Sequence, residues 1–400
     1  MKFDVVVIGS GLSGVVAAFR ASSQGKKVAV VRKGWGASAL TSGIFEIAET
    51  EGSPTQGSQT QGEQYEFSSS LASLKQKNPH HPYHQLDLEA LPTAFELFRK
   101  YFPLKIQGSY TENHLFLSDM GFWKRAAFAM ESQFLDFRTI GRKKVLTLGY
   151  DFDWFQETPL LPQMMAKKLD HPDEVRKLAQ SIKSKFQLHH YDLLILPPVL
   201  GLDFFSDMKR ELEHLLGLPV FEMAATLPSV PGLRFQKALD AALHKASIPL
   251  IQGKVKSFDH HKKKVSTLRI SDELSPEFNE TTLEADTFIL ATGKFFSGGL
   301  HKGPAFSETV FQLPLFFKNE KINHCSVQKL LRRDFFESQP LFQCGVKIDA
   351  ALVPLDEFGD PCYENVRACG TILQGFDPHQ DGTRFGVQLL SGYKAGDMAQ

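Results

Sequence analysis

The residues of this 400-residue chain best suited to chemistry are Gly9-Ser10-Gly11-Leu12-Ser13-Gly14, a G-x-G-x-x-G run that follows an apolar segment and opens a helical one. The first glycine permits a tight turn, the second lets backbone approach a phosphate, and the third lets helix pack on strand. The helix N-terminus itself favours an anion. A dinucleotide or flavin phosphate is the expected occupant. Ser10 and Ser13 stand inside the loop, where their hydroxyls add hydrogen-bonding capacity.

The acid that normally follows the second strand and grips the adenosine ribose is absent: Val30-Val31 runs into Arg32-Lys33. A guanidinium donates only and seeks an anion, so this pair favours FMN, or a phosphate held near Arg32, over FAD seated in the usual way. The competing reading is that Arg32 and Lys33 are solvated turn residues. Thr41-Ser42-Gly43 and Ala291-Thr292-Gly293 are small enough to let a loop pass close to a ring system. The glycine-punctuated stretch from Asn365 to Gly386 adds Gly370, Gly375, Asp377 and Arg384. Backbone N–H groups there could support an anionic flavin pyrimidine. The pairs His80-His81 and His260-His261 read as polar loop residues, and no Ser-His-acid or metal-ligand spacing stands out.

These residues require an α/β frame. Phe3 to Ile8 reads as a strand buried on both faces, Gly14 to Ser23 as a helix and Lys27 to Val31 as the next strand, which makes one β-α-β unit. Further strands are expected at Lys144 to Gly149, Asp192 to Pro197, Ile248 to Ile251, Lys264 to Ile270 and Thr287 to Leu290, with a helix over Leu233 to His244 and a strand-turn-helix from Asn365 onward. The expected architecture is a Rossmann-like FAD/NAD(P)-binding flavoprotein fold of the α/β class. Its nucleotide domain is discontinuous (1–78 and 225–400), with a mobile polar loop at 50–70 and an inserted α/β lobe at 79–224.

Composition narrows the function. Lys plus Arg and Asp plus Glu are 45 each, a balance that argues against nucleic-acid binding. No apolar run is long enough to span a bilayer, so a cytoplasmic protein, or one peripheral on a membrane through a partner, is expected. The four cysteines lack C-x-x-C spacing and read as free thiols. The 34 phenylalanines suit a subunit that buries a face against partners.

Several blocks resemble the B subunits of the anaerobic glycerol-3-phosphate dehydrogenases. They are Phe3-Asp4 through Gly14, Thr41-Ser42-Gly43, His81-Pro82-Tyr83, Leu227-Pro228 through Gly232-Leu233-Arg234-Phe235-Gln236, Ala291-Thr292-Gly293-Lys294-Phe295-Phe296-Ser297-Gly298-Gly299-Leu300 and Gly375-Phe376-Asp377-Pro378. The resemblance implies a flavin, usually assigned as FMN, and a companion A subunit that holds FAD and the glycerol 3-phosphate site. It also implies an iron-sulfur C subunit that anchors the complex to the inner face of the cell membrane, with electrons passing to quinone. Arg234, Asp377 and Arg384 are then candidate neighbours of the ring. The chain departs from the family where Arg384 and Phe385 stand in place of a glycine-rich run, which threatens to crowd the flavin. A stand-alone flavin dehydrogenase or oxidase of a small acid, and a flavin-free scaffold subunit, are the rival readings.

Overall fold

A computed structural model describes residues 1–48, 67–156, 161–227, 229–271, 280–334 and 337–399. In chain order the principal elements begin with β1 (Lys2–Ile8), α1 (Leu12–Ser23), β2 (Val28–Arg32), α2 (Leu91–Tyr101), β3 (Val145–Thr147), α3 (Pro172–Lys185), β4 (Leu193–Leu196) and α4 (Phe205–Leu216). They continue with β5 (Val220–Glu222), α5 (Val230–Lys245), β6 (Leu250–Gln252), β7 (Lys254–His261), β8 (Lys264–Ser271), β9 (Thr281–Leu290), β10 (Val366–Ala368) and α6 (Arg384–Asp397).

The chain divides into two compact units, one of residues 1–37, 68–103 and 238–400, the other of 38–67 and 104–237. These limits differ from the expected ones at three places, each for a packing reason. Residues 38–48 go with the second unit because Ile44–Phe45 pairs with Phe128–Met130. Residues 79–103 go with the first, because Tyr101 packs on Phe19 of α1 at 4.8 Å and Phe95 on Phe385 of α6 at 6.0 Å between ring centroids. The third limit falls inside α5, between residues 237 and 238, instead of at 225. Most of the loop expected at 50–70 lies outside the described residues, and its last four residues begin the helix Phe67–Lys77.

The first unit is built on one sheet of order β6-β2-β1-β9-β8-β7. β1 lies between β2 and β9, parallel to both, with Val5 opposite Val28 on one side and Thr287 on the other. Val5, Val6 and Val7 are fully buried, as a strand covered on both faces must be. β9 changes partner along its length. Its start pairs antiparallel with β8, and Phe288 to Leu290 pair in parallel with Val366 to Ala368 of β10. Helix α1 lies against α6, and the approach is close because both present small residues. A Cβ on Gly392 would stand 2.4 Å from the Ser13 carbonyl oxygen, and one on Gly396 2.4 Å from that of Ala17.

In the second unit β3, β4 and β5 form a parallel sheet of order β5-β4-β3. Leu194 and Leu196 of β4 share an apolar core with Leu178 and Ile182 of α3 and Leu212 of α4. The loop ahead of α4 is held by the protein itself: Asp170 Oδ1 accepts from the backbone N–H groups of Leu202, Asp203 and Phe204, each at 2.9 Å.

Candidate dinucleotide-binding site

At the carboxyl end of β1 three backbone segments of the first unit meet almost in contact. Gly9 has φ +115°, and a Cβ there would lie 2.3 Å from the Ala291 carbonyl oxygen. A Cβ on Gly14 would lie 1.9 Å from the Gly9 carbonyl oxygen. Both glycines are therefore demanded by the protein's own backbone, and hydrogen bonds from Gly9 N–H to Val31 and from Ala291 N–H to Ile8 lock the turn between β2 and β9. Gly11 differs. It caps α1 with φ −73° and ψ 177°, an extended conformation open to any residue, so its need for glycine must come from something other than strain.

The site opens where β1 sits between β2 and β9, the switch point at which α/β sheets bind nucleotides. α1 begins at Gly11 without a side-chain cap and without an acidic residue in its first turn. Ser10 and Ser13 are buried in the turn, and the Thr292 hydroxyl, which a Cβ on Gly299 would approach to 2.6 Å, is buried without a hydrogen-bond partner. Gly293 (φ +71°) turns the chain after Thr292. Gly370 brings a second loop against α1, close enough that a Cβ would lie 2.1 Å from Ser13 Oγ, and its N–H donates to Ser391 Oγ at 2.8 Å. A glycine cradle at a helix start fits the diphosphate of a flavin dinucleotide.

Behind the cradle lies a buried polar cluster that spacing alone did not disclose. Lys294 is buried, donating to the carbonyls of Phe342 and of Phe376 (3.0 Å for the latter) with its ammonium 4.9 Å from the Phe376 ring centroid. Desolvation pushes it down to about 8. His81, read from sequence as a loop residue, is buried. Its Nδ1 accepts from the Tyr83 N–H and its Nε2 lies 3.1 Å from Thr383 Oγ1 at the start of α6, which fixes Nε2 as the protonated nitrogen. Burial, reinforced by the charges of His84, Lys294 and Lys75, lowers it to about 3, so the ring is neutral. The adjoining Pro82, which begins a turn, was the available signal that His81 is held inward.

Other candidates are committed to the protein's own structure. Gly375 (φ +94°) lets the chain pass His80, whose carbonyl oxygen a Cβ would approach to 1.9 Å. Asp377 is buried, accepting from His379 N–H at 2.9 Å and Ser338 Oγ at 3.2 Å, the pattern of a turn-former. Arg384 donates to the Ala37 carbonyl at 2.7 Å, and Phe385 is buried against Phe95, so neither bulky residue simply replaces the glycines of a loop. In the second unit Arg234 is buried in an ion pair with Glu222 (2.6 Å) and donates to Gly201, which accounts for its charge there. Thr41-Ser42-Gly43 is anchored in the same unit. Gln133 donates to the Ser42 carbonyl at 2.9 Å, Ser229 to that of Thr41, and a Cβ on Gly43 would strike Gln133 Oε1 at 1.7 Å.

Arg32 is not a free cation. Its Nη1 lies 2.6 Å from both carboxylate oxygens of Asp240, and Lys33, the next residue, accepts at its carbonyl from Gln252. The preference for FMN rested on an unpaired Arg32, and that basis is gone.

With this geometry the comparison with known proteins is decisive: the model of the FAD binding domain matches residues 4–184 and 183–383. The chain belongs to that family. It is thus a flavin oxidoreductase of the α/β class. Over 98% of its length it is 27% identical to the B subunit of anaerobic glycerol-3-phosphate dehydrogenase from Pectobacterium carotovorum, of which 97% is covered. It is 24% identical to the protein of the same name from Aliivibrio fischeri, over 99% of this chain and 95% of that one. Among solved structures, 3-ketosteroid delta1-dehydrogenase from Sterolibacterium denitrificans aligns over 100% of this chain and 99% of its own, at 12% identity and a TM-score of 0.48.

Two outcomes test this site. Gly9→Val and Gly14→Val should fail to give folded protein, whereas Gly11→Val should keep the parent's circular dichroism and lose its flavin; flavin retained in Gly11→Val would remove the loop from the site. The second concerns pH. Below about 6.5 the unfolded chain takes up a proton that folded His81 refuses, so stability falls as pH falls from about 6.5 toward about 3. One such group contributes at most ~1.4 kcal/mol per pH unit. His81→Gln should be less stable at neutral pH yet lose stability more shallowly on acidification, as read by urea unfolding; equal slopes would contradict the buried neutral imidazole.

Proposed function

We propose that this chain is the flavin-binding subunit of an anaerobic glycerol-3-phosphate dehydrogenase and that it holds FAD at the β1–α1 turn. The observation that carries the reading is the glycine cradle at the start of α1, bounded by β2, β9 and the Gly370 loop. The matched family is one that binds FAD, and similarity to the B subunits runs over nearly the whole of both chains, which supports the dehydrogenase reading.

In this proposal Gly11 and the first turn of α1 receive the diphosphate, Thr292 supplies a hydroxyl beside it, and the small residues of the 291–293 turn admit the cofactor close to the sheet end. Bound FAD supplies acceptance of two electrons and their onward delivery. The reaction served is oxidation of glycerol 3-phosphate to dihydroxyacetone phosphate, with electrons passing toward quinone. The companion A subunit holds its own FAD and the substrate site, and an iron-sulfur C subunit anchors the complex to the inner face of the membrane. No helix among the described residues is long and apolar enough to cross a membrane, in keeping with anchorage through a partner.

Purified chain should show a flavin absorbance spectrum, release FAD on heating, and fail to oxidise glycerol 3-phosphate with an artificial acceptor until a companion subunit is added. FMN as the released cofactor would overturn the FAD assignment. Robust turnover by the isolated chain would favour a stand-alone dehydrogenase, and a colourless protein that takes up no flavin would favour a scaffold.

A further inference from the structure

The sequence places a base where a dinucleotide fold normally ends its second strand in an acid, and the structure pairs that base with a carboxylate from a distant part of the chain. Asp240 lies 208 positions beyond Arg32 on α5, in the part of that helix belonging to the first unit. α5 leads into β6, which joins the sheet beside β2 with Gln252 opposite Arg32, and this connection returns α5 to the end of β2. Both oxygens of Asp240 lie 2.6 Å from Arg32 Nη1, and the half-exposed Trp35 donates its indole N–H to Oδ2 at 3.3 Å. The pair is only partly buried, with side chains 15% exposed for Arg32 and 25% for Asp240, so the carboxylate is within reach of a ligand.

We propose that Asp240, seated by Arg32 and Trp35 at the end of β2, is the carboxylate that accepts the hydroxyl hydrogen bonds of the adenosine ribose of bound dinucleotide. This rests on the reading that the first unit binds FAD. Arg32 becomes a positioning residue: it orients the carboxylate instead of gripping a phosphate. The inversion answers the chemical objection that a guanidinium cannot accept from a hydroxyl, because the acceptor is supplied from another helix and the guanidinium only donates to it. It also predicts selectivity, since FMN has no adenosine ribose and gains nothing from Asp240.

The test is to titrate FAD, its 2′-deoxyadenosine analogue and FMN into flavin-free parent protein, Asp240→Asn and Arg32→Ala, following flavin fluorescence. A hydrogen bond to a charged acceptor is worth roughly 10- to 100-fold in affinity. The parent should bind FAD ~10-fold or more tightly than the deoxy analogue. Asp240→Asn should lose that preference and leave FMN affinity unchanged, and Arg32→Ala should behave like Asp240→Asn. A parent that binds FAD and its deoxy analogue equally overturns the proposal with no variant needed, while leaving FAD binding intact. An undiminished preference in Asp240→Asn overturns it as well. Weakening of FMN as much as FAD in Arg32→Ala would show that Arg32 holds a phosphate directly. A parent that binds no flavin overturns this inference together with the reading beneath it.

Discussion

The close meeting of bare backbone at the end of β1 is the constraint on which the first unit depends. β1 must lie between β2 and β9, α1 must start immediately beyond it, and the chain after β9 must turn away at the same level. The space for this exists only without side chains at Gly9 and Gly14, each of which faces a carbonyl oxygen closer than any Cβ tolerates. Further out, Gly392 and Gly396 let α6 settle on α1, and Gly370 closes the remaining side. A helix start gripped so tightly by its own chain is pre-organised, and binding there spends little on ordering the receptor.

The main sheets of the two units show how similar local geometry is put to different ends. In the second unit Asp170 satisfies the N–H groups ahead of α4, and Arg234 and Glu222 neutralise each other in the core. Those groups stabilise the lobe. In the first unit the charged groups near the helix start are arranged differently. Lys294 and His81 are held by carbonyls, a hydroxyl and a backbone N–H, at the cost of depressed proton affinity. Buried groups of this kind are costly unless satisfied, so their presence in the loops behind the cradle fixes the positions of Phe376, Thr383 and the start of α6.

What the sequence disclosed was whatever is encoded within a few tens of residues. The strand, glycine loop, helix and second strand follow from local spacing, and observed limits such as Lys2–Ile8 and Leu12–Ser23 fall within two residues of those expected. Pairing between distant segments was hidden. Nothing local marks Asp240 as the partner of Arg32, and without it the base at the end of β2 reads as a free cation that favours FMN, a preference the ion pair no longer supports. The same limit misplaced residues 38–48 and 79–103: nothing local shows which helices bury Phe95 and Phe98. Thr41-Ser42-Gly43 was recognisable as a tight approach, but the approaching group is Gln133, a side chain of the second unit.

We propose the turn from β1 into α1 as the anion seat of an FAD site. Crystallographic density from the chain saturated with FAD tests it most directly. The diphosphate should lie against the backbone of Gly11 and Leu12 at the start of α1, near the 291–293 turn. Density for the diphosphate anywhere else, or an undisturbed turn in a crystal whose FAD is bound at another place, would contradict it.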